Sequence, residues 1–331
     1  MLRATGERSE LRGTVLGGSY RVGACIGAGG TGLVFEARRL DDGALFAVKM
    51  LRPIYAAHTE LCRRLLRERE VSRSVRHSGI VPVVDEGHLT DGSPYLVMPR
   101  LRGESLAQLL RRVGILSSPE TAAIGIRLAS VLQSAHSRGF VHRDLKPEHV
   151  LLDRASCGAL DMHLIDFGVV ASVTAPREER DGERGKIFGT PNYASPEQAC
   201  GDPFVDGRSD LFSLGILLFE CVSGELPYCG DNVASLLRQI MMAEPPRVSS
   251  LAGHVDETLD RVIARAMSRS SEQRHPTARA IARDLRPVAE PQLGVERLLA
   301  SRLRVGGEQQ EQVETVRERV PLAVCGAPSL V

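Results

Sequence analysis

The sequence lacks paired cysteines, although it contains seven cysteines in 331 residues. They are odd in number and scattered, and none belongs to a Cys-x-x-Cys pair: Cys25, Cys62, Cys157, Cys200, Cys221, Cys229 and Cys325. This pattern excludes a disulfide framework and argues against a zinc site built from cysteines. We therefore expect reduced thiols and a cytoplasmic location.

The sequence also lacks an excess of charge and a long apolar run. The formal net charge is +1, so no bulk field favours nucleic acid or an anionic membrane as a partner. The most apolar window, 211–222, is shorter than a bilayer requires and contains Glu220. Residues 1–13 have no apolar segment typical of a secretory signal. We expect no membrane span and no nucleic-acid partner.

The chain is long enough for two lobes that each bury a core. From Tyr20 to about residue 100, alternating apolar residues and turn residues predict strands, with one helix at 60–75. The following part, about 101–287, is predicted to be mostly helical. We expect an N-terminal extension at 1–19 and a C-terminal tail at 288–331 that is partly helical or disordered.

Several local patterns predict individual elements. Two further strands are expected at 80–84 and 95–98. A long helix is expected to begin at Pro119, with Ser118 as its N-cap. The polar segment 171–186 is expected to be a mobile loop. In the tail, apolar periodicity is confined to 295–303, which predicts a short helix there.

A glycine-rich segment, Gly27-Ala28-Gly29-Gly30-Thr31-Gly32, follows the first of these strands. Such a pattern alone is weak, because a dinucleotide-binding fold and a ligand-free hairpin both contain it. In the dinucleotide fold the glycines open a helix. Here 33–37 continues as a strand, so we favour a loop that folds over phosphates between two strands.

Lys49 lies on the next predicted strand, in the sequence Phe46-Ala47-Val48-Lys49. A lone lysine on a strand is usually a solvated charge, but downstream of a glycine loop it is better explained as a cation for the α- and β-phosphates. Its long side chain needs a carboxylate to hold it. We favour Glu68 over Glu70, since only one of the two can face Lys49 from a helix.

Two acidic motifs follow in the helical part. His142-Arg143-Asp144-Leu145-Lys146-Pro147-Glu148-His149 precedes Asp166-Phe167-Gly168 by about twenty residues. Asp144 is suited to take the proton of a hydroxyl, and Lys146 to balance charge on a transferring phosphoryl group. Asp166 is suited to hold Mg²⁺. This pair of motifs at this spacing indicates phosphoryl transfer.

A third segment, 189–197, contains Gly189-Thr190-Pro191 and ends in Ser195-Pro196-Glu197. If Glu197 is buried, it requires a cation, because an unpaired buried charge is strongly destabilising. Arg274 is the available candidate in the later helical region.

Taken in order, these motifs resemble the eukaryotic-like (Hanks-type) serine/threonine protein kinases of bacteria, over roughly 20–286. The resemblance implies an α+β, bilobal protein-kinase fold with a small β-rich N-lobe and a larger α-helical C-lobe. It implies ATP between the lobes, with Mg²⁺ or Mn²⁺. The implied reaction is transfer of the γ-phosphate to Ser or Thr hydroxyls of proteins in signal transduction.

The resemblance also assigns further residues. It implies Met98 as the gatekeeper and Pro99-Arg100-Leu101 as the hinge. The family usually has Glu at the position of Pro99, but proline loses only an N–H that adenine recognition does not need. Asp210 would brace the catalytic loop, residues 142–149. Thr190 belongs to a short motif typical of the serine/threonine branch of the family. The implied adenine contacts are Val34 and Ala47 above the ring and Leu151 below it.

His149 departs from the family, which has Asn there as a ligand of the second Mg²⁺. Magnesium prefers oxygen ligands, whereas imidazole nitrogen suits softer divalent ions. Three outcomes follow: a slower kinase with a poor ligand, an enzyme shifted toward Mn²⁺, or a pseudokinase that binds nucleotide without turnover. We favour retained activity, because Lys49, Asp144, Lys146 and Asp166 are all present.

A second departure concerns regulation. Family members with an arginine at the position of Arg143 often need a phosphate on the activation loop, yet 180–188 contains no Ser, Thr or Tyr. Ser172 and Thr174 lie too early in the chain. Glu179, Asp181 or Glu183 could pair with Arg143 instead, although a solvated acidic loop is an equal alternative. We expect activity that does not depend on loop phosphorylation.

The main alternative to a kinase is a nucleotide-binding scaffold that works through protein contacts. A small-molecule phosphotransferase is disfavoured, because 189–197 resembles a peptide-docking segment. The expected partners are protein substrates, and the sequence leaves open a homodimer or a regulatory partner.

Overall fold

The computed structural model describes residues 11–169, 171–173, 177–181, 183–186, 188–289 and 294–304. The predicted N-terminal extension and C-terminal tail lie partly outside these ranges, and Thr174 lies wholly outside them. Within them, the first part is a sheet with one long helix and the second part is mainly helical, which agrees with the predicted fold class.

The first part is built on an antiparallel sheet. Its strands are β1 (Val15–Leu16), β2 (Tyr20–Ala28), β3 (Gly32–Arg39), β4 (Leu45–Leu51), β5 (Asp85–His88) and β6 (Pro94–Pro99). They lie in the order β1-β2-β3-β4-β6-β5. Helix α1 (Thr59–Ser74) packs on this sheet through Leu65, which is buried with Leu51 and Leu96. The sheet begins at Val15, within the segment predicted to be an extension.

The second part surrounds one buried helix. Its helices are α2 (Leu106–Val113), α3 (Ser118–His136), α4 (Arg177–Asp181), α5 (Pro196–Ala199), α6 (Gly207–Ser223), α7 (Val233–Met242), α8 (Glu257–Ala266), α9 (Ala278–Ala289) and α10 (Val295–Arg302). In α6 every residue from Ser209 to Phe219 is buried, as expected of a helix that is apolar on all sides. Among the described residues, no helix is both long and apolar enough to cross a membrane.

Short strands line the boundary between the two parts. They are β7 (Glu104–Ser105), β8 (Phe140–Val141), β9 (Val150–Arg154), β10 (Leu160–Leu164) and β11 (Ala171–Ser172). Strands β10, β9 and β7 form one antiparallel sheet, and β8 pairs with β11. Strands β8 and β9 flank the first acidic motif, and β10 and β11 flank the second.

The predicted strand at 80–84 is wrong. Ile80 makes only an isolated bridge to Leu164, and the strand begins at Asp85. Pro82 has no N–H for a strand ladder, and the N–H of Val83 bonds to the Ser72 hydroxyl at 2.6 Å. The N–H groups of Ile80 and Val83 are therefore used elsewhere, whereas the Val84 N–H bonds to β6, at the Val97 carbonyl.

Two other local predictions need correction. The N-cap of α3 is Ser117, not Ser118, because Glu120 lies three residues after Ser117 and completes a capping box with it. The described residues of 171–186, which was predicted to be a loop, include β11 and α4. The short helix expected at 295–303 is present as α10.

Candidate active site

The glycine-rich loop is a hairpin between β2 and β3. Gly27 lies opposite Val34 in the strand register, and the Gly29 N–H bonds to the Gly32 carbonyl at 2.9 Å. The chain continues from the loop as strand β3, as predicted, and not as the helix of a dinucleotide-binding fold. A backbone N–H-rich turn between two strands can close over phosphate groups.

Lys49 projects from β4 toward two carboxylates. Its Nζ contacts Glu68 on α1 and lies 3.0 Å from Asp166 Oδ1. Burial disfavours the charged amine, but Asp166 and Glu68 together raise the pKa of Lys49 above its ordinary value. Burial, with the nearby charge of Asp166, raises the pKa of Glu68 to about 7 despite the lysine. Glu68, the predicted partner, therefore links α1 to Lys49.

Asp166 has an unusual backbone and a strongly acidic side chain. Its φ of 66° lies in the left-handed region, which Asp tolerates better than most residues. Burial opposes ionisation, yet the adjacent Lys49 holds the pKa of Asp166 well below its usual range. The carboxylate is therefore fully charged at neutral pH, which suits a ligand for a divalent cation.

Asp144 is held by the segment that begins at Gly189. Its Oδ1 accepts the Thr190 N–H at 2.7 Å and the Thr190 hydroxyl at 2.8 Å. Lys146 Nζ lies 3.1 Å from Asp144 Oδ2 and 2.6 Å from Thr190 Oγ1. Gly189 has φ 90°, and a Cβ there would lie 2.5 Å from the Arg143 carbonyl, so only glycine allows this approach. Asp144, Lys146 and Thr190 thus form one hydrogen-bonded group.

His149 lies between the two acidic side chains. Its Nδ1 is 2.8 Å from the Asp144 carbonyl oxygen, which can only accept, so Nδ1 carries the proton. Its Nε2 lies 3.4 Å from Asp166 Oδ2. Burial lowers the pKa of His149, so the ring is neutral and Nε2 has a free lone pair facing Asp166.

The carboxylate of Asp210 anchors the backbone of the catalytic loop. Its carboxylate is fully buried and accepts the N–H of His142 at 2.8 Å and of Arg143 at 2.9 Å. His136 Nε2 lies 2.7 Å from the same carboxylate. Arg143 has a φ of 64°, a left-handed conformation that these bonds support. Asp210, which lies on α6, therefore fixes the backbone immediately before Asp144.

The acidic loop supplies one partner for Arg143. Glu183 Oε2 lies 2.6 Å from Arg143 Nη1, and Glu183 Oε1 lies 3.8 Å from Arg67 on α1. Asp181 pairs with Arg184 instead, and the side chain of Glu179 lies outside the described residues. Of the predicted alternatives, a fully solvated loop is therefore wrong.

The predicted pair between Glu197 and Arg274 is present and bidentate. The two nitrogen–oxygen distances are 2.7 and 2.8 Å, and Ser209 donates to the same carboxylate. Burial opposes ionisation of Glu197, but Arg274 lowers its pKa below the ordinary value. This pair fastens α5 to the segment that precedes α9.

The residues predicted to contact adenine lie near residues 100–103, the linker that joins the sheet-rich part to the helical part. Ala47 lies opposite Met98 in the register of β4 and β6, and Pro99 ends β6. Val34 lies on β3 opposite Lys49, Leu101 follows Pro99 in the linker, and Leu151 on β9 pairs with Ser105 on β7. They belong to elements on both sides of the linker.

Sequence reasoning missed three residues of this site. Gln198 donates to the Arg143 carbonyl at 2.8 Å, His136 bonds to Asp210, and Phe188 stacks against the guanidinium of Arg143 at 5.6 Å. The Ser195-x-x-Gln198 spacing signals a capping box, which is present, but nothing in it indicates a bond to the catalytic loop. No local pattern marks the other two.

The protein kinase domain family matches residues 20–284 of this chain. The chain is 31% identical over 288 residues to the serine/threonine-protein kinase pkn3 of Myxococcus xanthus, and this alignment covers 86% of this chain and 52% of the relative. It is 34% identical over 278 residues to a probable serine/threonine-protein kinase of Corynebacterium efficiens, which covers 82% and 41%. It is 31% identical over 261 residues to PknH of Mycobacterium bovis, which covers 79% and 42%.

The chain spans between 41% and 52% of the length of these three relatives. The match itself includes every segment that forms the site described above, from the glycine loop to Arg274. By its sequence, and by the arrangement of its two acidic motifs, the chain belongs to the protein kinase domain family.

Proposed function

We propose that this chain is a serine/threonine protein kinase that transfers the γ-phosphate of ATP to hydroxyl groups of proteins. The observation that carries the proposal is the placement of His149 between two carboxylates, with Nδ1 3.6 Å from Asp144 Oδ2 and Nε2 3.4 Å from Asp166 Oδ2. Asp144 can orient the substrate hydroxyl, and Asp166, on the other side of the His149 ring, can face the phosphates of ATP.

Each side chain then has a role that its contacts allow. Lys49, held by Glu68, would bind the α- and β-phosphates, and the glycine loop would cover them. Asp144, fixed by Thr190, would accept the proton of the substrate hydroxyl. Lys146 would balance charge on the transferring group. A divalent cation, when bound, would neutralise charge on the phosphates.

The donor set fits a divalent cation and favours a particular one. Asp166 is a fully ionised carboxylate, and His149 offers an unprotonated Nε2 in place of the usual amide oxygen. Since nitrogen ligands bind Mn²⁺ more readily than Mg²⁺, we propose that Mn²⁺ supports turnover better than Mg²⁺.

Radiolabelled ATP provides the direct test of the proposed function. Label transferred to the protein itself or to a generic serine-rich protein, with either Mg²⁺ or Mn²⁺, is the expected result. Nucleotide binding with no transfer under either metal would contradict it and would leave a nucleotide-binding scaffold. Six of the scattered thiols lie in the described residues and form no disulfide there, which suits the reducing cytoplasm as the place of action.

Replacing His149 with Asn should raise Mg²⁺-supported kcat and lower the Mn²⁺-to-Mg²⁺ ratio of kcat by roughly tenfold. The amide returns an oxygen donor to this residue in place of the ring nitrogen. Steady-state kinetics with each metal measures the ratio, and His163→Asn on β10 is the matched control. A His149→Asn variant no faster than the parent with Mg²⁺ would show that the histidine is not a metal ligand.

Glu183 is proposed to hold the activation loop without phosphorylation, since it contacts both Arg143 and Arg67. We expect the phosphatase-treated parent to retain its activity. Glu183→Gln should lower kcat by about tenfold, which corresponds to ~1.4 kcal/mol. Asp181→Asn, which removes an exposed charge of the same loop, should leave kcat unchanged. An inert phosphatase-treated parent would refute this mode of regulation.

A further inference from the structure

A docked helix lies beyond the part of the chain that matches the family. The match ends at residue 284, whereas α10 spans Val295–Arg302. Leu299 and Ala300 are completely buried, and Leu303 is 5% exposed. The helix contacts α3, β9 and β10. Burial of three apolar side chains means that α10 is packed in place on the helical part.

Two ion pairs fix the helix on α3. Arg127 makes a bidentate pair with Glu296 at 2.7 and 2.6 Å. Arg302 lies 3.1 Å from Glu120, whose side chain is 2% exposed. The pair between Arg127 and Glu296 is partly exposed and therefore contributes little free energy. Together, however, the two pairs fix the position of α10 along α3.

The end of α10 meets the linker that joins the two parts. Glu104 on β7 is buried, and its Oε1 accepts the backbone N–H of Arg304 at 3.2 Å. Arg112 contacts the same carboxylate and also donates to the Arg302 carbonyl at 2.7 Å. The last residues of the described chain therefore share one polar cluster with Glu104.

Glu104 lies directly beside the linker residues. Gly103 has φ 89°, and a Cβ on it would lie 2.1 Å from the Leu152 carbonyl, so the linker presses onto β9 without room for a side chain. Glu104 pairs with Leu152, and Ser105 pairs with Leu151. A shift of Glu104 would consequently move both the linker and the strand that carries Leu151.

We infer that residues 295–304 act as a brace that positions the linker and Leu151 for nucleotide binding, through Glu104. This inference rests on the proposed function, since it concerns the site for ATP. Glu104, Arg112 and Arg304 are positioning residues, because none of them belongs to the group around Asp144. Loss of the brace should weaken nucleotide binding and leave the phosphoryl-transfer step intact.

The test compares two adjacent residues of α10 in the full chain. Leu299→Asp places a charge at a buried position and should release the helix, whereas Leu298 is 52% exposed and Leu298→Asp should leave it docked. We expect Leu299→Asp to raise the KM for ATP and the Kd for ADP by about fivefold or more, with kcat within about twofold of the parent. Equal constants in the two variants would overturn the brace.

A second pair of variants keeps the test valid if Leu299→Asp fails to fold. Arg304→Pro removes the N–H that Glu104 accepts together with the arginine side chain. Leu303 already has φ −71° and ψ 147°, which suit a residue before proline. Arg304→Ala retains that N–H. A higher Kd for ADP in Arg304→Pro than in Arg304→Ala supports the route through Glu104, and equal values overturn it.

The ADP titration also separates the brace from the proposed function. A parent that binds ADP no more tightly than Leu299→Asp overturns the brace alone. A parent that binds no ADP overturns the proposed function, and the brace with it.

Discussion

Asp144→Asn is expected to lower kcat by about 10²- to 10⁴-fold and to leave the KM for ATP nearly unchanged. Asparagine can still accept the N–H and hydroxyl of Thr190, which bond to Oδ1 at 2.7 and 2.8 Å, so the loop should keep its shape. It cannot take a proton from a hydroxyl. The loss should therefore be confined to the chemical step.

Radiolabelled phosphate transfer at saturating ATP, together with ADP titration, measures both quantities. Asp161→Asn is the matched control, because Asp161 is a half-exposed carboxylate on β10 outside the site. A variant that retains more than about a tenth of the parental kcat would mean that Asp144 is not the group that accepts the proton.

Arg274→Leu is expected to destabilise the protein by about 3–5 kcal/mol, because it leaves the carboxylate of Glu197 without its cation. The arginine is 1% exposed, and it also donates to the carbonyls of Ser268, Arg269 and Arg208. Removing it therefore leaves the charge of Glu197 without its cation and takes one donor away from each of three carbonyl groups.

Urea unfolding of the variant and the parent measures the difference in the free energy of unfolding. Arg283→Leu is the control, since that arginine is 71% exposed and its pair with Asp284 is solvated. Glu197→Gln combined with Arg274→Leu should recover part of the loss, because the double variant has no unpaired charge. A change below about 1 kcal/mol in Arg274→Leu would contradict a buried, essential pair.

Features that depend on local pattern or on charge balance could be predicted from the sequence. The apolar segment at 33–37 predicts a strand after the glycine loop, and this strand is present in place of the helix of a dinucleotide site. The expected need of Glu197 for a cation leads to Arg274 across 77 positions of sequence. Half a helical turn separates Glu68 from Glu70, and Glu68 is the one that reaches Lys49.

Features that depend on competition for partners could not be predicted. The apolar run at 80–84 fits a strand, but the Ser72 hydroxyl takes the Val83 N–H. Three acidic residues of the loop are equivalent in sequence, and only the fold selects Glu183 for Arg143. The tautomer of His149 follows from the carbonyl beside Nδ1, which no sequence pattern reveals.

The left-handed backbone of Arg143 and Asp166, with φ of 64° and 66°, has a consequence for engineering. Each such conformation costs a non-glycine residue on the order of 1 kcal/mol, which the rest of the fold must offset. Glycine at either position would relieve that cost, but it would also discard the guanidinium that pairs with Glu183 or the carboxylate that pairs with Lys49. Because loss of such a partner costs more than the strain that is relieved, glycine is a poor route to a more heat-resistant variant at these two positions.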